Sequence, residues 1–160
     1  MQGNSRFIWV LTLCAGLGGI LYGYDIGVIS GALPFIQKAM PMRDLQLSII
    51  VGAVLAGSLI GTMVSGSLAD RFGRRKMILV SCVVFAIGIG TIELSYNFVT
   101  LLCARVFLGI AVGIVSVAVP LFLTETAPAE IRGRSVSAFQ VFLTLGVLLA
   151  YIVDYFFTKT

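Results

Sequence analysis

Apolar residues in this chain do not alternate with polar ones; they run on. Five stretches, at about 7–36, 47–69, 77–94, 98–123 and 136–157, are almost unbroken by charge, and short charged clusters separate them. A helix rises 1.5 Å per residue, so about 20 apolar residues cross the hydrocarbon core of a bilayer. Closed β-barrels are the other way to span, and long unalternating runs argue against them. The pattern predicts an all-α membrane protein of about five transmembrane helices, in a single domain over residues 1–160. The first run is long enough to tilt or to bend near Pro34.

Composition agrees with that prediction. The chain is 59% hydrophobic and 11% charged, where soluble domains carry about 25% charged residues. It has too little polar surface to face water, and the bilayer is its natural solvent. The apolar start after Arg6 has the look of a secretory leader. However, apolar character resumes past Asp25 to Ile36 without a small-x-small cleavage site, so it reads as a retained first helix.

Charge then sets an expected orientation. Arg6, Arg71, Arg74, Arg75, Lys76, Arg132 and Arg134 fall on one side of the five predicted spans, and Lys38, Arg43 and Lys159 on the other. Short loops rich in Lys and Arg stay in the cytoplasm, which puts the N-terminus inside. The net charge of +4 is explained by these loops. No basic stripe interleaved with aromatics suggests nucleic acid as a partner. Cys14, Cys82 and Cys103 lie in apolar runs without metal-ligand or disulfide spacing, and are expected to pack as small apolar residues. There is no histidine. No metal, cofactor or enzymatic constellation is expected.

Glycine is patterned at every fourth position: Gly19, Gly23, Gly27 and Gly31 in the first helix, Gly57, Gly61 and Ser65 in the second, Gly109 and Gly113 in the fourth. Small residues at this spacing let helix backbones approach closely in lipid, whether for static packing or for sliding.

Two charges stand where lipid should exclude them. Asp25 and Arg105 sit within apolar spans, at a cost of roughly 2.5–3.5 kcal/mol each on insertion scales. Their distances from the predicted helix starts place both in the outer half of the membrane, so an ion pair between helices 1 and 4 is expected. It would serve either as a fixed structural pair or as a proton switch. Arginine stays charged, whereas aspartate can take a proton and change which arrangement is preferred. Gln140 is polar on an otherwise apolar helix 5; its amide suits either a sugar hydroxyl or an interhelical hydrogen bond. Tyr22 and Tyr24 could stack on a sugar or simply pack.

Two loop strings fall on the predicted cytoplasmic side: residues 66–75, GSLADRFGRR, and residues 120–134, PLFLTETAPAEIRGR. The first carries both signs of charge between two helix ends and can latch to them. Glu125 and Glu130 of the second can meet Arg71, Arg74 or Arg75. A network of such pairs at a moving seam can act as a latch, although single surface pairs contribute little.

Taken together, residues 23–31 (GYDIGVISG), 66–75, 105–109 (RVFLG) and 120–133 resemble the sugar porter family of the major facilitator superfamily, in order and spacing over nearly the whole chain. Among its members, the chain resembles bacterial sugar:proton symporters and glucose uptake proteins. The resemblance implies alternating-access transport of a monosaccharide, a hexose or pentose, across a bacterial inner (plasma) membrane. It implies that Asp25 couples protons with Arg105, that Gln140 and Tyr22 bind sugar, and that Asp70, Arg71, Arg75, Glu125 and Arg132 form a cytoplasmic gate. Some members carry a second glutamine on helix 5, where this chain has Val147. Members have twelve helices in two halves. The five predicted here correspond to part of the N-terminal half, so a transporting unit is expected to need the missing second half or self-association into a homo-oligomer. A facilitative sugar uniporter and a truncated, non-transporting membrane subunit are the alternatives.

Overall fold

A computed structural model describes the backbone of residues 5–39 and 42–159, and the side chains of 16–38 and 42–157. The side chains of Arg6, Cys14 and Lys159 lie outside the described residues. Five helices form, as expected: α1 (Ser5–Ala39), α2 (Asp44–Phe72), α3 (Arg74–Glu93), α4 (Phe98–Thr126) and α5 (Arg132–Lys159). Among the described residues there is no strand, and all five helices are long and apolar enough to cross a membrane.

Most of the helices outrun their apolar stretches. The second begins at Asp44 rather than 47, and the fifth at Arg132 rather than 136. Hydropathy marks only the part of a helix that lies in hydrocarbon, whereas backbone hydrogen bonding continues into the polar zone until a turn residue ends it. Pro34 and Pro120 lie inside α1 and α4, where each removes one backbone donor.

Contacts divide the chain into two compact units, Met1–Pro34 with Pro120–Thr160, and Phe35–Val119. In the second unit, α2 buries Ile50, Ala53, Gly57, Gly61, Ser65 and Ala69, one residue every three or four along one face. That face meets α4 backbone to backbone. A Cβ built on Gly57 would overlap the Val106 carbonyl oxygen, and one on Gly109 would overlap that of Val54. Gly61 and Gly113 repeat the arrangement against Ile110 and Ser58. The Ser65 hydroxyl donates across the seam to the Ile114 carbonyl at 3.4 Å. Ala69, Met77, Ile114 and Ala118 form a small apolar core where α3 joins, and Gly88 of α3 admits the Leu108 side chain. Among the five spans, α4 is the most enclosed: half of its most apolar window is buried, against 17–28% for the others.

In the first unit, the glycine stripe of α1 faces α5. Gly19 lies against the Phe139 backbone and Gly23 against the Leu143 carbonyl and Val147 amide. Gly27 lies against Ala150, and Gly31 against the Asp154 carboxylate. On α5, Gly146 gives room for the Ile20 carbonyl. Close approach therefore needs glycine mainly on α1.

One expectation is corrected here. Cys82 and Cys103 do not pack inside; both are exposed. A thiol is small and weakly polar enough to face lipid, so its presence in an apolar run does not say which side of the helix it occupies.

Candidate functional site

On α1, Asp25 stands two residues from both Gly23 and Gly27, about 200° around the helix from each. The glycines hold the backbone against α5, so Asp25 projects away from that seam; its side chain is half-buried. Tyr22, also half-buried, flanks the stripe one residue before Gly23. On α5, Gln140 follows the buried Phe139 and is exposed. Its backbone carbonyl accepts the Thr144 hydroxyl at 2.9 Å. Val147 lies in the seam, with its backbone against Gly23 and Gly27. The α1/α5 pair thus carries Tyr22, Asp25 and Gln140 on one packed framework.

Arg105 belongs to α4 within the other unit. It is 4% exposed, among Leu101, Ala104 and Leu108, which are equally enclosed. A guanidinium keeps its charge at any accessible pH, so the fold holds a permanent cation at membrane depth.

The charged string between α2 and α3 resolves into a joint one residue long. Gly73 ends one helix and starts the next at φ 88°, a left-handed conformation that a side chain would strain. The Gly73 amide and the Arg74 guanidinium both donate to the Ala69 carbonyl, each at 3.0 Å. Arg74 also pairs with Asp70 at 2.7 Å. Two of these bonds serve the Ala69 carbonyl, one of the last-turn groups that no residue inside α2 can reach. Arg71 and Arg75 are exposed, with the Arg71 guanidinium 5.9 Å from the Phe72 ring centroid.

In the first unit, Glu125 is exposed near the end of α4, and Arg132 is exposed at the start of α5. A turn at Pro128 joins them, its carbonyl accepting the amides of Ile131 and Arg132 at 3.1 and 3.0 Å. Of the gate residues, Asp70, Arg71 and Arg75 thus fall in one unit and Glu125 and Arg132 in the other.

Two residues have roles that sequence reasoning did not assign. For Arg74 the sequence offers a loop latch or a pair with Glu125 or Glu130, and does not single it out as the residue that bonds Asp70 and the Ala69 carbonyl. Asp154, in the apolar run LLAYIVDYFF, was not singled out at all. Its carboxylate accepts the Gly31 amide at 3.1 Å. A signal was present: Gly146, Ala150 and Asp154 repeat every fourth residue, the spacing of the α1 stripe they face.

A family model described as Sugar (and other) transporter matches residues 11–160. A D-xylose transporter of Levilactobacillus brevis is 46% identical over 89% of this chain and 31% of its own length. The glucose transporter GlcP of Staphylococcus epidermidis is 43% identical over 98% and 34%. A galactose-proton symporter of Escherichia coli is 37% identical over 99% and 35%. The chain spans about a third of the length of these curated relatives. Among solved structures, the inward-open xylose transporter XylE from E. coli superposes with a TM-score of 0.85 at 33% identity, covering 96% of this chain and 40% of that one. The partially occluded form superposes at 0.88. The five helices are therefore part of a major facilitator fold in a multi-pass membrane protein, and the relatives are transporters rather than enzymes.

Proposed function

Because the chain belongs to the Sugar (and other) transporter family, we propose that it forms part of a carrier that moves a monosaccharide across the membrane together with a proton, by alternating access. Gln140 and Tyr22 are the sugar ligands. Asp25 binds and releases the proton, and Arg105 is the fixed cation of the same cycle. Asp70, Arg71, Arg75, Glu125 and Arg132 make up the charged end that opens and closes on the cytoplasmic side, where the N-terminus lies. The transporting unit includes a second half, supplied either by further helices or by another copy of the chain.

One observation carries this reading. A chain matched along its length by sugar transporters keeps an acid, Asp25, half-buried in a membrane span. Holding an ionisable group there is costly enough that its usual role is in an ion or substrate pathway. The exposed amide of Gln140 supports the sugar site: on a membrane-spanning helix, such a group needs a polar partner beyond its own unit.

The test is sugar uptake into liposomes by the purified chain, and by the chain joined to the remaining length of the L. brevis D-xylose transporter. An inward proton gradient should drive accumulation of a hexose or pentose, and Asp25→Asn should abolish that accumulation. Uptake that ignores the gradient and survives Asp25→Asn would mean facilitated diffusion. No uptake by either protein would sink the proposal and favour a non-transporting subunit.

A further inference from the structure

The α1/α5 seam is apolar along most of its length and ends on a charge. From Gly19 to Gly27 the glycines of α1 meet backbone atoms, an aromatic ring and a methyl group of α5. At Gly31 they meet a carboxylate, which accepts the Gly31 amide at 3.1 Å across a sequence separation of 123 residues. The fit is close enough that a Cβ at Gly31 would overlap the Asp154 carboxyl group. The contact also falls beside a gap in the backbone ladder of α1. Pro34, three residues on, has no amide hydrogen to offer the Ser30 carbonyl, so the helix loses a rung there.

We propose that Asp154 is a positioning residue, a clasp on the backbone of α1 that fixes the axial register of α1 against α5. The glycine stripe repeats every fourth residue, so a slip of one turn along the axis still sets small residues against most of the seam, and packing alone penalises that slip least. A charge-assisted hydrogen bond at one end supplies that penalty, because only one register brings the amide to the carboxylate. Register matters because Tyr22 and Asp25 ride on α1 and Gln140 on α5. The clasp holds the proton-binding acid and the sugar-binding amide at fixed heights relative to each other. Its consequence for transport rests on the function proposed above; its structural part does not.

The experiment separates the two. Spin labels are placed at the exposed Ile26 and Tyr151 of the chain in liposomes, with the native cysteines replaced by alanine, and their distance distribution is measured by pulsed electron resonance. The parent should give one narrow distribution. Asp154→Leu should broaden or displace it, and Asp154→Asn, which keeps an acceptor oxygen, should restore it. In the transport assay, Asp154→Leu should raise the sugar half-saturation concentration about tenfold, with Asp154→Asn near the parent. A double-mutant cycle guards against misfolding: Gly31→Ala should lower the melting temperature when Asp154 is present, and do little when residue 154 is already alanine. An unchanged label distribution in Asp154→Leu would overturn the clasp, as would an equal cost of Gly31→Ala in both backgrounds. A displaced distribution in a chain that moves no sugar would leave the clasp standing and remove the transport reading.

Discussion

The two glycine seams of this molecule are built differently. Between α2 and α4 both helices contribute glycine, and Gly57, Gly61, Gly109 and Gly113 bring backbone against backbone with one weak hydroxyl bond, that of Ser65, across the contact. Between α1 and α5 the glycines lie mainly on one side, the other side supplies bulk, and the seam ends on a carboxylate. Polar residues divide in the same way. Tyr22, Asp25, Gln140 and Asp154 ride on the α1/α5 pair, whereas the α2/α4 contact holds only the small hydroxyl residues Ser58, Thr62 and Ser65, and α4 carries the buried Arg105. On the function proposed above, the symmetric seam is scaffold and the asymmetric one carries the sugar ligands and the proton-binding acid. Lipid tails are as apolar as leucine, so helices here are held by shape and by a few polar contacts. How a seam distributes glycine and charge therefore indicates what it is for.

The comparison breaks most visibly at the scaffold. Gly109→Val should lower stability by about 3 kcal/mol, because its side chain meets the Val54 carbonyl and both backbones must part. Melting of the detergent-solubilised chain, followed by size-exclusion chromatography, checks this. A parent-like melting temperature would mean the seam is loose. Next comes Asp25→Asn, expected to abolish proton-driven accumulation while leaving the melting temperature near the parent value, as suits a group whose cost is tied to use rather than to packing. Loss of fold along with transport would instead make Asp25 structural. Gln140→Ala should raise the half-saturation concentration about tenfold, the worth of one lost hydrogen bond, without loss of stability, since the side chain is exposed. Unchanged sugar dependence would remove Gln140 from the site. The smallest effect should come from Ser65→Ala, about 0.6 kcal/mol from a single interhelical hydrogen bond, with transport intact. A large transport defect there would blur the distinction between the two seams.

Much of this was legible in the sequence. Uninterrupted apolar runs located all five helices, because the bilayer imposes a length that hydropathy reads directly. Glycine at every fourth residue announced close helix contacts. It could not say that the α1 stripe meets α5 or that the α2 stripe meets α4, since small residues permit approach to any neighbour. Asp25 and Arg105 stood out because each interrupts an apolar run well inside its ends. Asp154 escaped notice because it lies close to the end of its run, where an acid looks like the edge of the membrane. Its meaning depends on Gly31, which is distant in sequence. Arg74 was hidden among three neighbouring cations; only the fold distinguishes the one that closes α2 from those that face outward.

The joint at Gly73 limits how this protein can change. With a single residue between α2 and α3, there is no slack to absorb an added amino acid. One insertion would turn every residue of α3 by about 100° relative to its present facing, presenting Lys76 and Val80, now on the outside, in place of Met77 and Ser81. An added residue at this joint therefore costs the α3 packing directly, whatever its own side chain.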